Sequence, residues 1–246
     1  MDKLIYTAMS GAKQAFLQQA GVAQNLANAS TTGYRAMEHR FRSVPVQGDG
    51  LATRAFTVNA SVADSFQQGP LMQTGRPLDV AVQGAGWIAV ETPNGEAYTR
   101  AGAFQVTADG QLQTPSGNAI LGDGGPIAIP PDNRVTIATD GTVSVVPLFG
   151  TPNNSNPVGR IKLVNPPEND LARGPDGLFR LKSGQPADAD PNVRVVPETL
   201  EGSNVNSVDA MVSLISLARQ FEMQVKMLQT ADTNARSAGQ ILSMNR

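Results

Sequence analysis

The sequence predicts an α+β protein in which N- and C-terminal helices pair as a coiled-coil stalk and a central, antiparallel, mainly β domain lies between them. Three observations carry this. Apolar residues at both ends of the chain step alternately by three and four, the middle alternates with period two, and nearly all of the 17 Pro and 24 Gly fall between the ends. The expected division is 1–33 and 204–246 for the helical domain, 34–77 and 193–203 for an extended connector, and 78–192 for the β domain.

The first helix is read from Ile5, Ala8, Ala12, Ala15, Gln19, Val22, Leu26 and Ala29, a seam with only Gln19 out of pattern. Asp2 can cap its start, and Gly33, after Ser30, Thr31 and Thr32, suits a left-handed exit. Alanine dominates this seam. It permits close helix approach but buries little area, at about 25 cal/mol per Å², so an isolated pair of such helices is expected to be marginal.

Residues 31–42 are polar and partly basic, and 44–75 lack sustained helical spacing, with Gly48, Gly50, Gly69, Pro70 and Gly75 as punctuation. From Leu78 the period becomes two. Leu78, Val80 and Val82 are followed by the pairs Ile88 and Val90, Phe104 and Val106, Ile127 and Ile129, Val135 and Ile137, Val143 and Val145, Ile161 and Leu163, Phe179 and Leu181, and Val193 and Val195. Between them lie Asn94-Gly95, Asp109-Gly110, Ser116-Gly117, Asp140-Gly141 and Asp176-Gly177, dipeptides suited to the positive φ angles of tight turns. Residues 151–157 read as an exposed loop tip.

The last helix is expected from Ser207 to Leu242, about 54 Å long, with Asn206 and Asp209 as a capping-box-like start. Its seam runs through Met211, Leu214, Ala218, Phe221, Val225, Leu228, Asp232, Ala235, Gly239 and Leu242. Met223 and Met227, with Val212, Leu217 and Ile241, add apolar surface beyond one partner's footprint, as expected of a helix packed among several others.

Composition narrows the function classes. A chain of 246 residues with 40% hydrophobic content can bury a core, and a net charge of −2 provides no long-range pull towards nucleic acid or anionic membrane. The cluster Arg35, His39, Arg40 and Arg42, interleaved with Tyr34 and Phe41, reads as a solvated helix exit or a contact with an acidic neighbour. Without cysteine there are no disulfides or thiolate ligands, and neither a signal-peptide block nor a membrane-spanning run is expected.

Catalytic and ligand motifs fail on context. Gly84-Ala85-Gly86-Trp87-Ile88-Ala89 imitates a dinucleotide loop but leads into another strand rather than a helix, so Trp87 is expected in the core. His39, the single histidine, sits among basic residues and reads as an exposed structural residue. Asp188, Asp190 and Asn192 open like a calcium loop, yet Val193 stands where Gly is required and Thr199 where the closing Glu belongs. No catalytic residue, cofactor, metal or small-molecule substrate is expected.

Ser10-Gly11-Ala12 with Asn25-Leu26-Ala27-Asn28-Ala29-Ser30-Thr31-Thr32-Gly33-Tyr34-Arg35, and Leu200-Glu201-Gly202-Ser203-Asn204-Val205-Asn206 leading into the last helix, resemble the end signatures of the flagellar basal-body rod and hook family. Residues 78–87, 98–104, 109–112 and 126–130 resemble that family's shared β region. Within the family, Met1 to Gly11 and Arg219 to Met227 look most like a proximal-rod member, with a distal-rod member as the alternative.

The resemblance implies a structural, non-enzymatic subunit of the bacterial flagellum basal body. Its terminal helices would assemble with copies of itself and with other rod proteins into a drive shaft that transmits torque and encloses the export channel. It further implies passage through the type III flagellar export apparatus to a periplasmic rod, without signal cleavage and without membrane insertion. The candidate assembly interface is Leu4, Ile5, Ala8, Ala12, Ala15, Val22, Leu26, Asn28, Met211, Leu214, Ala218, Phe221, Val225, Leu228, Ala235 and Leu242. From other classes, a secreted enzyme with a helical dimerisation stalk, or a binding module stacking ligand on exposed Trp87 and Phe104, would use the β domain instead.

Overall fold

The structure, a computed structural model, describes residues 2–45, 55–148 and 155–244. A helix at each end of the chain flanks strands that pair only antiparallel among the described residues. The chain forms two compact units. One comprises Met1–Ala29, Ala36–Ser65 and Val205–Arg246, the other Ser30–Arg35 and Phe66–Asn204.

In the first unit, α1 (Asp2–Ala27) packs against α2 (Ser207–Met244). After α1 the chain passes Tyr34, whose carbonyl accepts a hydrogen bond from the Asn204 N–H shortly before α2, so the end of one helix adjoins the start of the other. Gly11 and Gln224, each about four and a half turns from that shared end, face one another, with Gln224 carboxamide atoms 3.3 Å from where a Gly11 Cβ would stand. The helices therefore run antiparallel. Having 38 residues against 26, α2 continues about three turns past the start of α1.

Of the stretch read from sequence as an extended connector, Met37–Pro45 (β1) and Ala55–Asp64 (β2) form a long antiparallel hairpin with a bulge at Arg40 and Phe41. The hairpin packs on α1. The Asn25 carboxamide secures it, donating to the Met37 carbonyl and accepting from the Met37 N–H, both at 2.8 Å. A single Asn thus satisfies both backbone groups of Met37 where the strand starts. Gly48 and Gly50, read as punctuation, lie outside the described residues.

The second unit holds the β core. Its nine-stranded sheet runs through Leu171–Arg173, Phe179–Leu181, Gly95–Thr99, Trp87–Thr92, Ala119–Gly122, Leu112–Gln113 and Gln105–Val106 in spatial order, with Leu163–Val164 and Gly125–Pro126 joined at its sides. A three-stranded sheet comprises Asn133–Ile137, Thr142–Pro147 and Asn156–Arg160. Along Trp87–Thr92 the period-two pattern serves two cores. Ile88 and Val90 enter the larger, with Val80, Phe104, Ile120 and Val143, while Trp87 and Ala89 enter the smaller, with Tyr98, Phe179 and Leu171. Trp87 and Phe104 are buried, as the sequence suggests.

All five turn dipeptides join successive strands, and their glycines Gly95, Gly110, Gly117, Gly141 and Gly177 have positive φ. Two readings change. Ile127 and Ile129 are buried but form no strand of their own: Ala128 between them makes a single bridge to Gln111, while the Ile127 and Ile129 N–H groups donate to the Ile120 and Gly110 carbonyls. Of the loop read at 151–157, Asn156 and Pro157 already belong to a strand, and 151–154 lie outside the described residues. The second stretch read as connector is paired within the β unit: Arg194–Pro197 lies against Val80–Gln83, and Thr199–Glu201 against Leu71–Gln73.

Candidate assembly surface

The contact face of α1 follows its sequence seam. Ala8, Ala12 and Ala15 are buried, and Ile5, Gln19, Val22 and Leu26 are partly covered. Asn28 is half-buried and closes the helix, donating from its carboxamide to the Gln24 carbonyl at 2.9 Å. The side chain of Leu4 lies outside the described residues.

On α2 the face is displaced by one residue at every second step. Ala210, Leu217 and Ala231 are buried, whereas Met211 is 53% exposed and Asp232 and Ala235 face outward. Leu214, Phe221 and Leu228 belong to either reading and are partly covered, as are Ala218 and Val225. The covered face steps by four and three where the seam read from sequence steps by three and four, so the two share every second member and cannot be told apart by apolarity alone. Leu217, counted in the sequence as outward surface, is inside. Sequence reasoning missed Gln224, a polar residue on the contact face, for which the absence of a side chain at Gly11 makes room. The side chain of Leu242 lies outside the described residues.

The start of α2 is capped as its sequence implies. Asn206 Oδ1 accepts from the Val208 N–H at 3.0 Å and from the Asp209 N–H at 3.4 Å, while Asn206 Nδ2 donates to the Asp209 carboxylate at 2.7 Å. An acidic residue in the first turn also meets the positive end of the helix dipole.

Much apolar surface stays uncovered within this unit. Tyr6, Met9 and Phe16 on α1, and Val208, Met211, Val212, Ile215, Met223 and Met227 on α2, each expose about half of their surface or more. The three fully buried residues of the α1 seam, Ala8, Ala12 and Ala15, bury little area, so the uncovered stripes are the surface from which further stabilisation can come.

His39 is not exposed. Its ring is half-buried against Gly21 and stacks on Phe41 with centroids 6.3 Å apart, and its Nδ1 has no hydrogen-bond partner among the described residues. Arg35, from the same basic cluster, does meet an acidic neighbour. Its Nη1 lies 2.7 Å from Glu201 Oε1, and both side chains are fully buried. Arg100 Nη1 lies 3.1 Å from the other carboxylate oxygen. Burial pushes the Arg100 guanidinium down to about 10, against the pull of Glu201, and lowers Arg35 for the same reason. Both cations also lie over the Trp87 ring, at 6.0 Å for Arg35 and 5.3 Å for Arg100.

Two of the motifs weighed for chemistry sit in local turns. Asp190 Oδ1 accepts from the Asn192 backbone N–H at 2.9 Å and side-chain Nδ2 at 3.0 Å, which makes a local polar turn. Gly86, at φ 128°, leads into Trp87 and a strand. Among the described residues no three His, Cys, Asp or Glu side chains gather as a metal site would require, and no helix is long and apolar enough to cross a membrane.

Comparison with known proteins covers both units. Residues 5–35 match the family model of the flagella basal body rod protein, 81–145 that of the flagellar hook protein FlgE/F/G D1 domain, and 196–241 that of the flagellar basal body rod FlgEFG protein C-terminal region. Over 252 residues the sequence is 47% identical to the flagellar basal-body rod protein FlgF of Escherichia coli (strain K12), with 100% of each chain covered. It is 46% identical over 252 residues, again 100% of each, to FlgF of Salmonella typhimurium (strain LT2). Against the flagellar basal-body rod protein FlgG of Agrobacterium fabrum (strain C58) the identity is 33% over 239 residues, with 87% of this chain and 89% of the relative covered.

Proposed function

The chain belongs to the flagellar basal-body rod family, and on that premise we propose that it is a structural subunit of the proximal rod that assembles through its terminal helices. The observation that carries the reading is the end-to-end identity of 47% with a rod protein. Two relatives named FlgF match over the whole chain, at 47% and 46%, which supports the proximal assignment.

The physical basis lies in the first unit. α1 and α2 form the coiled-coil stalk, and their uncovered stripes, Tyr6, Met9 and Phe16 on one and Val208, Val212, Ile215, Met223 and Met227 on the other, take up neighbouring subunits. The two stripes differ in composition. A contact between unlike patches is heterologous and propagates along an axis instead of closing on itself, as a shaft requires. Ile5, Ala8, Ala12, Ala15, Val22, Leu26, Leu214, Ala218, Phe221, Val225 and Leu228 align the pair, and Met211, Ala235 and Leu242 contact neighbours. Asn28 completes the face at the end of α1, and Leu4 is assigned to it on its place in the sequence alone.

The neighbours are other rod proteins and further copies of this chain. The subunit works without catalysis, bearing torque around the export channel in the periplasmic section of the basal body. It arrives through the type III flagellar export apparatus without signal cleavage.

The test is electron cryo-microscopy of basal bodies purified from cells lacking the gene and from cells complemented with it. Loss of the proximal rod on deletion, with its return on complementation, is the expected result. A complete rod in the deletion strain would overturn the assignment.

A further inference from the structure

Within the β unit, one residue, Glu201, links the stretches by which the chain enters and leaves that unit. The chain comes in at Ser30, goes out after Arg35, returns at Phe66 and goes out again after Asn204. Glu201 Oε1 meets Arg35 Nη1 at 2.7 Å and accepts from the Gly69 N–H at 3.1 Å, while the Glu201 carbonyl accepts from the Gly33 N–H at 2.8 Å. Arg35 Nη1 also donates to the Gln67 carbonyl at 2.5 Å, the same oxygen that accepts from the Asn204 carboxamide at 3.0 Å.

Arg100 attaches this knot to the sheet. Its guanidinium donates to the second oxygen of Glu201 at 3.1 Å, and to the Val82 and Gly84 carbonyls at 3.3 and 2.6 Å. The backbone leaves no slack at this point. A Cβ on Gly33, whose φ is 68°, would stand 2.3 Å from the Arg100 carbonyl carbon, and one on Gly69 would stand 2.1 Å from the Gly202 carbonyl oxygen.

A carboxylate between two guanidiniums is a poor choice if stability alone is at issue, since apolar side chains of similar volume usually serve a core as well or better. What the ions add is direction: a fork of donors on fixed acceptors allows one arrangement of the strands that carry them. We propose that Glu201 is a positioning residue, a clasp that holds 33–35, 67–69 and 201–204 side by side and so fixes where the chain following α1 and the chain preceding α2 lie in the β unit. The clasp goes beyond the rod assignment and stands independently of it.

The experiment is amide hydrogen exchange on the full-length soluble chain, wild type against Glu201→Gln. The amide keeps the shape and one acceptor but removes the charge that two guanidiniums share. Exchange at Gly33, Gly69 and Asn204 is expected to quicken about tenfold or more, while Ala89, bonded to the Lys162 carbonyl deep in the sheet, changes less than about twofold. Arg35→Lys, which keeps the charge and loses the fork, should give the same ranking of sites with a smaller increase, and decides the matter alone if Glu201→Gln does not fold. Unchanged protection at the three crossings, or an equal increase at Ala89, would overturn the proposal and leave Glu201 an ordinary core group. Neither result depends on rod assembly.

Discussion

Gly21 lies beneath the imidazole of His39, so close that a Cβ on Gly21 would stand 2.3 Å from Nε2 and 2.4 Å from Cδ2. Glycine inside a helix ordinarily costs about 0.5–1 kcal/mol relative to alanine. Here it makes room for β1 on α1. We expect Gly21→Ala to lower stability by about 1–2 kcal/mol in urea unfolding followed by far-ultraviolet ellipticity, the overpacking cost exceeding the propensity gain. In Gly21→Ala/His39→Ala the clash is gone, and the double variant should be more stable than His39→Ala alone. Additive effects would show that the two residues do not oppose one another.

Val225→Asp places a charge on the partly covered face of α2. The single tryptophan, Trp87, lies in the β unit, so its fluorescence reports that unit while ellipticity at 222 nm is dominated by α1 and α2. The variant is expected to lose ellipticity and the capacity to assemble, with the Trp87 emission maximum unchanged. A shifted maximum would mean that the helical face and the β core are not separable.

Tyr98 sets an alkaline limit. Burial raises its phenol from 10.0 to about 12, although the Ala187 N–H donating to its oxygen at 2.7 Å favours the ionised form. A raised folded pKa means that the native state holds the proton more tightly than the unfolded chain. The stability so contributed is complete below pH 10 and falls away as the pH rises towards about 12. Melting temperatures measured by Trp87 fluorescence between about pH 9 and 11.5 should decline more steeply for the wild type than for Tyr98→Phe, which has no phenol to ionise. Equal slopes would assign the alkaline transition elsewhere.

Gly102 and Gly117 separate lack of space from conformation. A Cβ at Gly102 would stand 1.7 Å from the Val80 carbonyl oxygen, whereas at Gly117 it would meet nothing within 4 Å, although φ there is 85°. Gly117→Ala should cost about 1 kcal/mol, from the left-handed backbone alone. Gly102→Ala forces one backbone off another and should abolish cooperative unfolding of the β core, read from Trp87. Similar losses in the two variants would contradict that distinction.

How far the fold could be read in the sequence depended on repetition. Long periodic segments were legible: both helices, the Asn206 cap and the strands at Trp87, Asn133 and Thr142 announce themselves through spacing sustained over several residues. The five glycine turns were legible for a different reason, since few other residues tolerate a positive φ. Strands of two to four residues, such as Leu112–Gln113 and Thr199–Glu201, were not, because a period of two needs more residues than they contain.

The hairpin β1–β2 escaped notice although Glu38, Arg40 and Arg42 take alternate exposed positions, because the polar His39 shares the inward face with Met37 and Phe41 and a bulge at Arg40 and Phe41 breaks the register. At the assembly surface the α1 face was readable. On α2 the choice between Met211 and Ala210, or Asp232 and Ala231, rests on the register with α1, which α2 alone does not contain. The pairing of Arg35 and Arg100 with Glu201 joins residues more than a hundred positions apart, and spacing carries no signal at that range.

The antiparallel run of α1 and α2 bears on how the molecule can be labelled. The first turn of α1 and the final turns of α2 lie towards the same pole of their unit, on the far side of the Gly11 and Gln224 contact from Ala27 and Ser207. A fluorescent protein or affinity peptide fused at either extremity would therefore crowd the same pole, so moving it from one terminus to the other brings little relief. The Asn94-Gly95 turn, whose Gly95 has open space around it, belongs to the β unit and offers the less intrusive place for an insertion.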